Sequence, residues 1–410
     1  MPAPDSILRA LPYQDALANY LRTEEPESWA WFGSAKSREN YAESLRLDLL
    51  KQTYRLDPVA YPELFNAVAV AKQKLGLDVP VTLYQSQSSR ELNAILYFIP
   101  GEAHIVFQGD VLSLLSPMEM RGLLGHELAH YVLWSSEEGR FQLADRICSA
   151  MVHDPRGEPS QAESARLLRL YTEIYADRGA LLATGDQAPV ITCLVKMQTG
   201  LTQVNAGSYV RQADEIFSRA KVKTDELSHP EAFIRARATA LWAAQTEGVD
   251  DEVTRMIEGA APLDKLDLLG QRRLTGWTRR WLRLFLAPAW FRTDAVQGHA
   301  RMFFPDFEFA PEGHTDPELF KELRGAEKSV RDYFLYLLLD FSAVDPDLED
   351  EPLRTGFGLA KEAGWAARLE VLAVKELKLK KREAQELRGI AGPETTAEPG
   401  EEPPLLDPKP

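Results

Sequence analysis

One pentapeptide, His126-Glu127-Leu128-Ala129-His130, constrains this chain more than any other part of it. It lies inside a stretch from Pro117 to Trp134 whose apolar residues recur at helical spacing. Histidines four residues apart on a helix stand one above the other on the same face, where two ring nitrogens can grip one metal ion. The glutamate between them flanks that ion, placed to take a proton from activated water and pass it to a leaving amine. The fold must therefore bury one face of this helix and bring a further ligand to it from elsewhere.

A catalytic zinc takes three protein ligands and keeps one position open. His153 is one candidate for the third, but it borders the loop His153-Asp-Pro-Arg-Gly157 and reads as a surface residue. Glu173 fits better, because it lies in a long helical pattern as Glu173-Ile-Tyr-Ala-Asp177. Four-residue spacing puts Asp177 on the same face, where it can accept a hydrogen bond from a ligand imidazole and fix its tautomer.

Periodicity places these motifs in an α+β chain that is mainly α. Apolar spacing predicts helices from about Ser37 to Tyr54 and from Pro62 to Leu75, the second stopped by Gly76. Short β-branched and aromatic runs at Val81 to Tyr84, Ala94 to Ile99 and His104 to Gln108 predict a small sheet ending in a hairpin at Pro100-Gly101. Helices follow at about 117–134, 141–152, 160–184, 189–199, 208–220 and 230–245. A linker is expected near 248–262. Beyond it, about 262–390 reads as a second, all-helical domain with a strongly apolar helix around Val330 to Phe341.

The expected organisation is thus an N-terminal segment (1–35), a metallopeptidase domain (36–247), the helical C-terminal domain (262–390) and a tail (391–410). Six prolines and five acids in those last twenty residues leave too little apolar surface to offset ordering entropy, so the tail is expected to be disordered.

Charge and cysteine usage exclude several classes. A formal net charge of -15 argues against a nucleic-acid binder, which needs a basic face for phosphates. Cys148 and Cys193 are the only cysteines, too few for a disulfide framework, and read as reduced core thiols. No stretch approaches the roughly 18 apolar residues of a spanning helix; Trp281 to Phe291 is apolar but short. The N-terminus lacks the basic and apolar regions of a secretory signal, so the cytoplasm is the expected address.

From about Gln52 to Ala244 the chain resembles the HtpX-like and CAAX-prenyl-protease-like zinc metallopeptidases, a gluzincin family with a zincin-type domain. In that family an E-x-x-x-D helix supplies the third ligand after the H-E-x-x-H helix, as Glu173 and Asp177 would here. The resemblance implies that Asn93-Ala94 opens an edge strand that pairs with substrate. It also implies that His229 of Ser228-His-Pro230 stabilises the oxyanion and that Arg235, six residues on, helps hold the site together. Segment 333–347 looks weakly like the helix and acidic turn of a TerB-like domain, a metal- or partner-binding module.

These readings predict a zinc endopeptidase that hydrolyses extended or unfolded polypeptides by metal-activated water. His126, His130 and Glu173 bind the metal, Glu127 is the base and His229 assists. An unpaired strand beside the metal would recognise peptide chiefly through its main chain. Two rival readings share the fold: a non-proteolytic chaperone or scaffold, and a latent peptidase regulated through a protein partner at its C-terminal domain.

Overall fold

The strands form one mixed sheet in the order β1-β2-β4-β3: β1 (Thr53–Arg55), β2 (Val81–Ser86), β3 (Asn93–Ile99) and β4 (Glu102–Gln108). β2 runs parallel to β4, and the other pairings are antiparallel. Ile99 stands opposite Glu102, so the hairpin turns on Pro100 and Gly101 alone. Gly101 takes its corner at φ +85°, a left-handed conformation glycine adopts without strain. β4 is buried from Ala103 to Phe107, as an inner strand should be, whereas β3 lies at an edge.

The computed structural model describes residues 8–87, 91–219, 224 and 229–390; the tail at 391–410 and Ser228 lie outside them. Two units emerge from the packing: Met1–Gly259 with Asp267–Leu269, and Ala260–Leu266 with Gly270–Pro410.

In the first unit, α1 (Pro12–Glu24), α2 (Pro26–Phe32) and α3 (Ala35–Gln52) precede the sheet, and α4 (Pro62–Leu75) lies between β1 and β2. After the hairpin come α5 (Val111–Leu114), α6 (Pro117–Ser135), α7 (Arg140–His153), α8 (Pro159–Thr184), α9 (Gln187–Thr199), α10 (Ala206–Arg219), α11 (Ala232–Ala243) and α12 (Val249–Ile257). α4, β2 to β4 and one face of α6 share a core built on Leu83, Ile105, Phe107, Leu124 and Leu128. A second core joins α1, α7, α8 and α12 around Leu17, Ile147, Tyr171 and Ile257. In it Tyr13 stacks on Tyr171 with ring centroids 4.7 Å apart.

Two expectations need correction. Helical spacing carried to Tyr54, yet the helix stops at Gln52 and Tyr54 pairs with Gln85 in β1. There the chain is captured by the sheet, and the Leu56 amide donates to the Leu83 carbonyl at 2.9 Å. Residues 249–257, expected in a linker, form α12, whose Val253, Met256 and Ile257 are buried on one face. Tyr171 donates to Glu258 at 2.6 Å just beyond that helix.

The second unit holds α13 (Leu268–Phe285) from Gly270 onward, α14 (Asp294–Phe303), α15 (Pro317–Leu323), α16 (Lys328–Ser342), α17 (Glu351–Glu362), α18 (Ala366–Glu376) and α19 (Lys381–Ile390). Trp281, Phe285, Phe334, Phe341 and Phe357 fill its centre. The apolar helix expected around Val330 to Phe341 is α16. Among the described residues no helix is long and apolar enough to cross a membrane.

Candidate metal centre

Ser116 caps α6 by accepting from the Glu119 amide, while the Glu119 carboxylate accepts from the Ser116 amide at 2.8 Å. Pro117 begins the helix where its missing N–H costs nothing. Lys196 of α9 then closes on the Glu119 carboxylate at 2.8 Å, a buried ion pair that ties α9 to this end of α6. From this anchored start, His126 and His130 reach the same face near the middle of the helix.

Small residues let α8 approach that face. Gly125 and Ala129 of α6 oppose Gly179 and Ala183 of α8, and a methyl group at Gly179 would lie on the Ala129 side chain, well inside contact. Arg169, Glu173 and Asp177 follow at four-residue intervals along α8, and the close approach sets Glu173 beside both histidines.

The donor atoms converge. His126 Nε2 lies 3.3 Å from His130 Nε2 and 3.4 Å from Glu173 Oε2, while Glu173 Oε1 is 3.6 Å from His130 Nε2. His126 Nδ1 is 3.0 Å from Asp177 Oδ1. Asp177 is held ionised by Arg235, so it can only accept, and His126 must carry its proton on Nδ1 toward it. In the neutral ring that leaves the Nε2 lone pair directed at His130 and Glu173. Glu173 Oε2 is buried and accepts no hydrogen bond. A cation among these atoms would satisfy them together, and no other group of His, Cys, Asp or Glu among the described residues is so placed. The acidic turn near Asp345 gathers no such group, and His153 is exposed at the end of α7, bonded to the Ser149 carbonyl.

Arg235 of α11 completes the cluster. Its Nε and Nη2 donate to the two oxygens of Asp177 at 2.7 and 2.6 Å, and Nη1 stands 3.2 Å from Glu173 Oε2. Burial works against the Glu173 charge, but Arg235 and His126 outweigh it and hold the carboxyl well below its ordinary range. Burial likewise depresses His126, yet the hydrogen bond to Asp177 and the Glu173 carboxylate beside its Nε2 prevail and push it up to about 10 in the metal-free chain. His130 has no such partner: burial, with His126 beside it, takes it down to about 3. Its Nδ1 finds no hydrogen bond, and the ring is instead stacked on Trp134 at 5.5 Å between centroids.

Glu127 belongs to the same cleft without being part of the donor cluster. Burial raises its carboxyl to about 7; His126 opposes that shift, as does the backbone amide of Leu96 on β3. The Ala94 amide is taken by the Asn93 side chain at 2.9 Å. Leu96 and Ala94 thus turn their amides away from β4, as alternate residues of an edge strand do. His229, 54% exposed, brings Nε2 to 3.7 Å from Glu173 Oε2 at the rim.

The cleft has a volume of about 900 Å³ and runs along α6 between β3, α8 and α9. Cys193 lines it and Cys148 lies in the core; both thiols are free, and burial pushes each up to about 12. Sequence reasoning missed Trp134, Asp145 and Arg169 as cleft residues. It also missed the Gly125 and Gly179 contact, whose only trace is the four-residue recurrence of small side chains on both helices.

Residues 62–153 match the model of peptidase family M48. That span runs from α4 to the end of α7 and contains His126, Glu127 and His130, but not Glu173, Asp177, His229 or Arg235. No curated protein and no solved structure matches the chain.

Proposed function

We propose that this chain is a zinc-dependent endopeptidase that cleaves extended polypeptide. The observation that carries the reading is the convergence of His126, His130 and Glu173 on one point, with the Glu127 carboxyl in the same cleft. Two imidazoles and one carboxylate are a donor set that suits a catalytic zinc. The finer likeness to HtpX-like peptidases rests on Glu173 with Asp177 and His229 with Arg235, all beyond the span similar to family M48.

Zinc bound there would supply Lewis-acid polarisation of a peptide carbonyl and of water. Glu127, poised near neutrality, takes the proton of the attacking water on its carboxylate and returns it to the leaving nitrogen. His229 at the rim donates from its ring to the carbonyl oxygen as negative charge develops. Asp177 orients His126, and Arg235 keeps Asp177 and Glu173 ionised and in place. β3, with Asn93 and Ala94 at its start, offers its outward main-chain carbonyls to an extended substrate, which must displace the Asn93 and Glu127 side chains to reach the Ala94 and Leu96 amides.

The test is zinc content together with cleavage of casein, for the natural sequence, Glu173→Ala and Glu127→Gln. One zinc per chain and cleavage are expected of the first, loss of both from the second, and zinc without cleavage from the third. Stoichiometric zinc in Glu173→Ala would overturn the ligand set. Zinc and peptide binding without turnover in the natural sequence would favour a polypeptide-binding scaffold.

A further inference from the structure

The cleft extends past the ligand residues to a wall made by α7 and α8, where Asp145, Ser149 and Arg169 line it. Asp145 and Ser149 are one turn apart on one face of α7, and Arg169 is one turn before Glu173 on α8. The part of the cleft beside the first half of α6 differs in kind, being lined by Leu123, Val190, Leu194 and Met197. A substrate lying along the cleft therefore meets apolar surface on one side of the metal ligands and opposite charges on the other.

Those two charges are not joined. Among the described residues neither Asp145 nor Arg169 enters a hydrogen bond or an ion pair, although the Arg169 charge acts on the Asp145 carboxyl. Burial pushes the Asp145 carboxyl up to about 6, with Arg169 opposing the shift without cancelling it. Both side chains are half-buried in the cleft wall, so a carboxylate and a guanidinium face the same cleft with no partner among the described residues. An incoming cation would be drawn to Asp145 and repelled by Arg169, and an anion the reverse. A neutral group carrying both a donor and an acceptor suits both sides.

We propose that Asp145 and Arg169 form a subsite for the carboxamide side chain of a glutamine or asparagine flanking the scissile bond, its NH2 donating to Asp145 and its carbonyl accepting from Arg169. The proposal rests on the peptidase reading of the cleft and names a substrate class within it. Sites that hydrogen-bond a substrate group discriminate strongly against residues lacking it, because their own polar atoms are then left unpaired.

The test uses the full-length, zinc-loaded chain and one synthetic peptide library read in two ways. Cleavage products of the natural sequence are sequenced, and so are peptides retained by the Glu127→Gln chain. Glutamine or asparagine should be enriched at one position by about tenfold over leucine in both. Asp145→Asn should move that preference toward aspartate and glutamate, and Arg169→Gln toward lysine and arginine. Opposite shifts at the same position would require both charges to line one subsite. If one variant fails to fold, the other still predicts a shift of definite sign. Unchanged preference in a folded variant would overturn the subsite, as would a preference of the natural sequence for either charged class. Enriched retention without cleavage would sink the hydrolytic reading and leave the subsite standing; cleavage without enrichment would do the opposite; neither retention nor cleavage would overturn both.

Discussion

Arg235 grips Asp177 with two parallel hydrogen bonds, at 2.7 and 2.6 Å, in surroundings where both side chains are buried. The same guanidinium stands 3.2 Å from Glu173, so one cation balances two carboxylates on α8. Arg235→Ala would leave both acids buried with His126, and His229 at the rim, against them, a change expected to cost about 3 to 5 kcal/mol. Arg235→Lys keeps the charge without the fork and should fall between. Urea unfolding of the metal-free chain measures this; midpoints equal to that of the natural sequence would show that the bridge contributes nothing.

Gly179 and Ala129 set how closely α6 and α8 approach, because a methyl group at 179 has no room against the Ala129 side chain. Gly179→Ala should cost about 1 to 3 kcal/mol through overpacking and weaken zinc binding by moving Glu173 away from the histidines. Ala129→Gly in the same chain reopens the space, at roughly 1 kcal/mol for a glycine inside a helix, and should recover most of the zinc affinity. Additive losses in this double-mutant cycle would contradict the contact.

Legibility in the sequence followed the range of the interactions involved. His126, Glu127 and His130 could be read because one helix sets their spacing, and Glu173 with Asp177 for the same reason two helices later. The hairpin was readable from Pro100-Gly101 between two β-forming runs. β1 was not, since Thr53 to Arg55 are only three residues and become a strand by pairing with β2. α12 was hidden too: its nine residues begin with Val249 and three acids, and its helical state depends on tertiary burial of Val253, Met256 and Ile257. Asp145 and Arg169 lie on different helices, so no local pattern announces that they share a wall.

Zinc uptake should release a proton. In the metal-free chain His126 is held up to about 10 while His130 falls to about 3 and Glu173 lies well below its ordinary range. Between pH 7 and 9 the ligand set therefore carries one proton, on His126, and a metal must displace it. The sign follows: a raised histidine stabilises the metal-free fold below its unfolded value near 6.5, and that stabilisation is lost as pH rises through about 10. Apparent zinc affinity should climb about tenfold per pH unit over this range. Calorimetric titrations in buffers of different ionisation enthalpy would count the proton; none released, with affinity flat from pH 7 to 9, would contradict the assignment.

Where the first unit ends can be tested by truncation, and α12 decides the result. A chain ending at Gly248 would lose Val253, Met256 and Ile257 from the core shared with α1, α7 and α8, and would strip Tyr171 of its bonds to Thr254 and Glu258. Three buried side chains of this size contribute on the order of 5 kcal/mol, which rivals the net stability of a whole domain. That chain should be unfolded or molten at 25 °C. One ending at Leu269 keeps α12 and the Tyr13 bond to Asp267, and should unfold cooperatively with bound zinc. Comparing its casein cleavage with that of the full chain then addresses latency: greater activity after removal of the second unit would mean that this unit restrains the cleft, and equal activity would mean that it does not. Cooperative unfolding of the chain ending at Gly248 would show that α12 is dispensable and that the unit closes earlier.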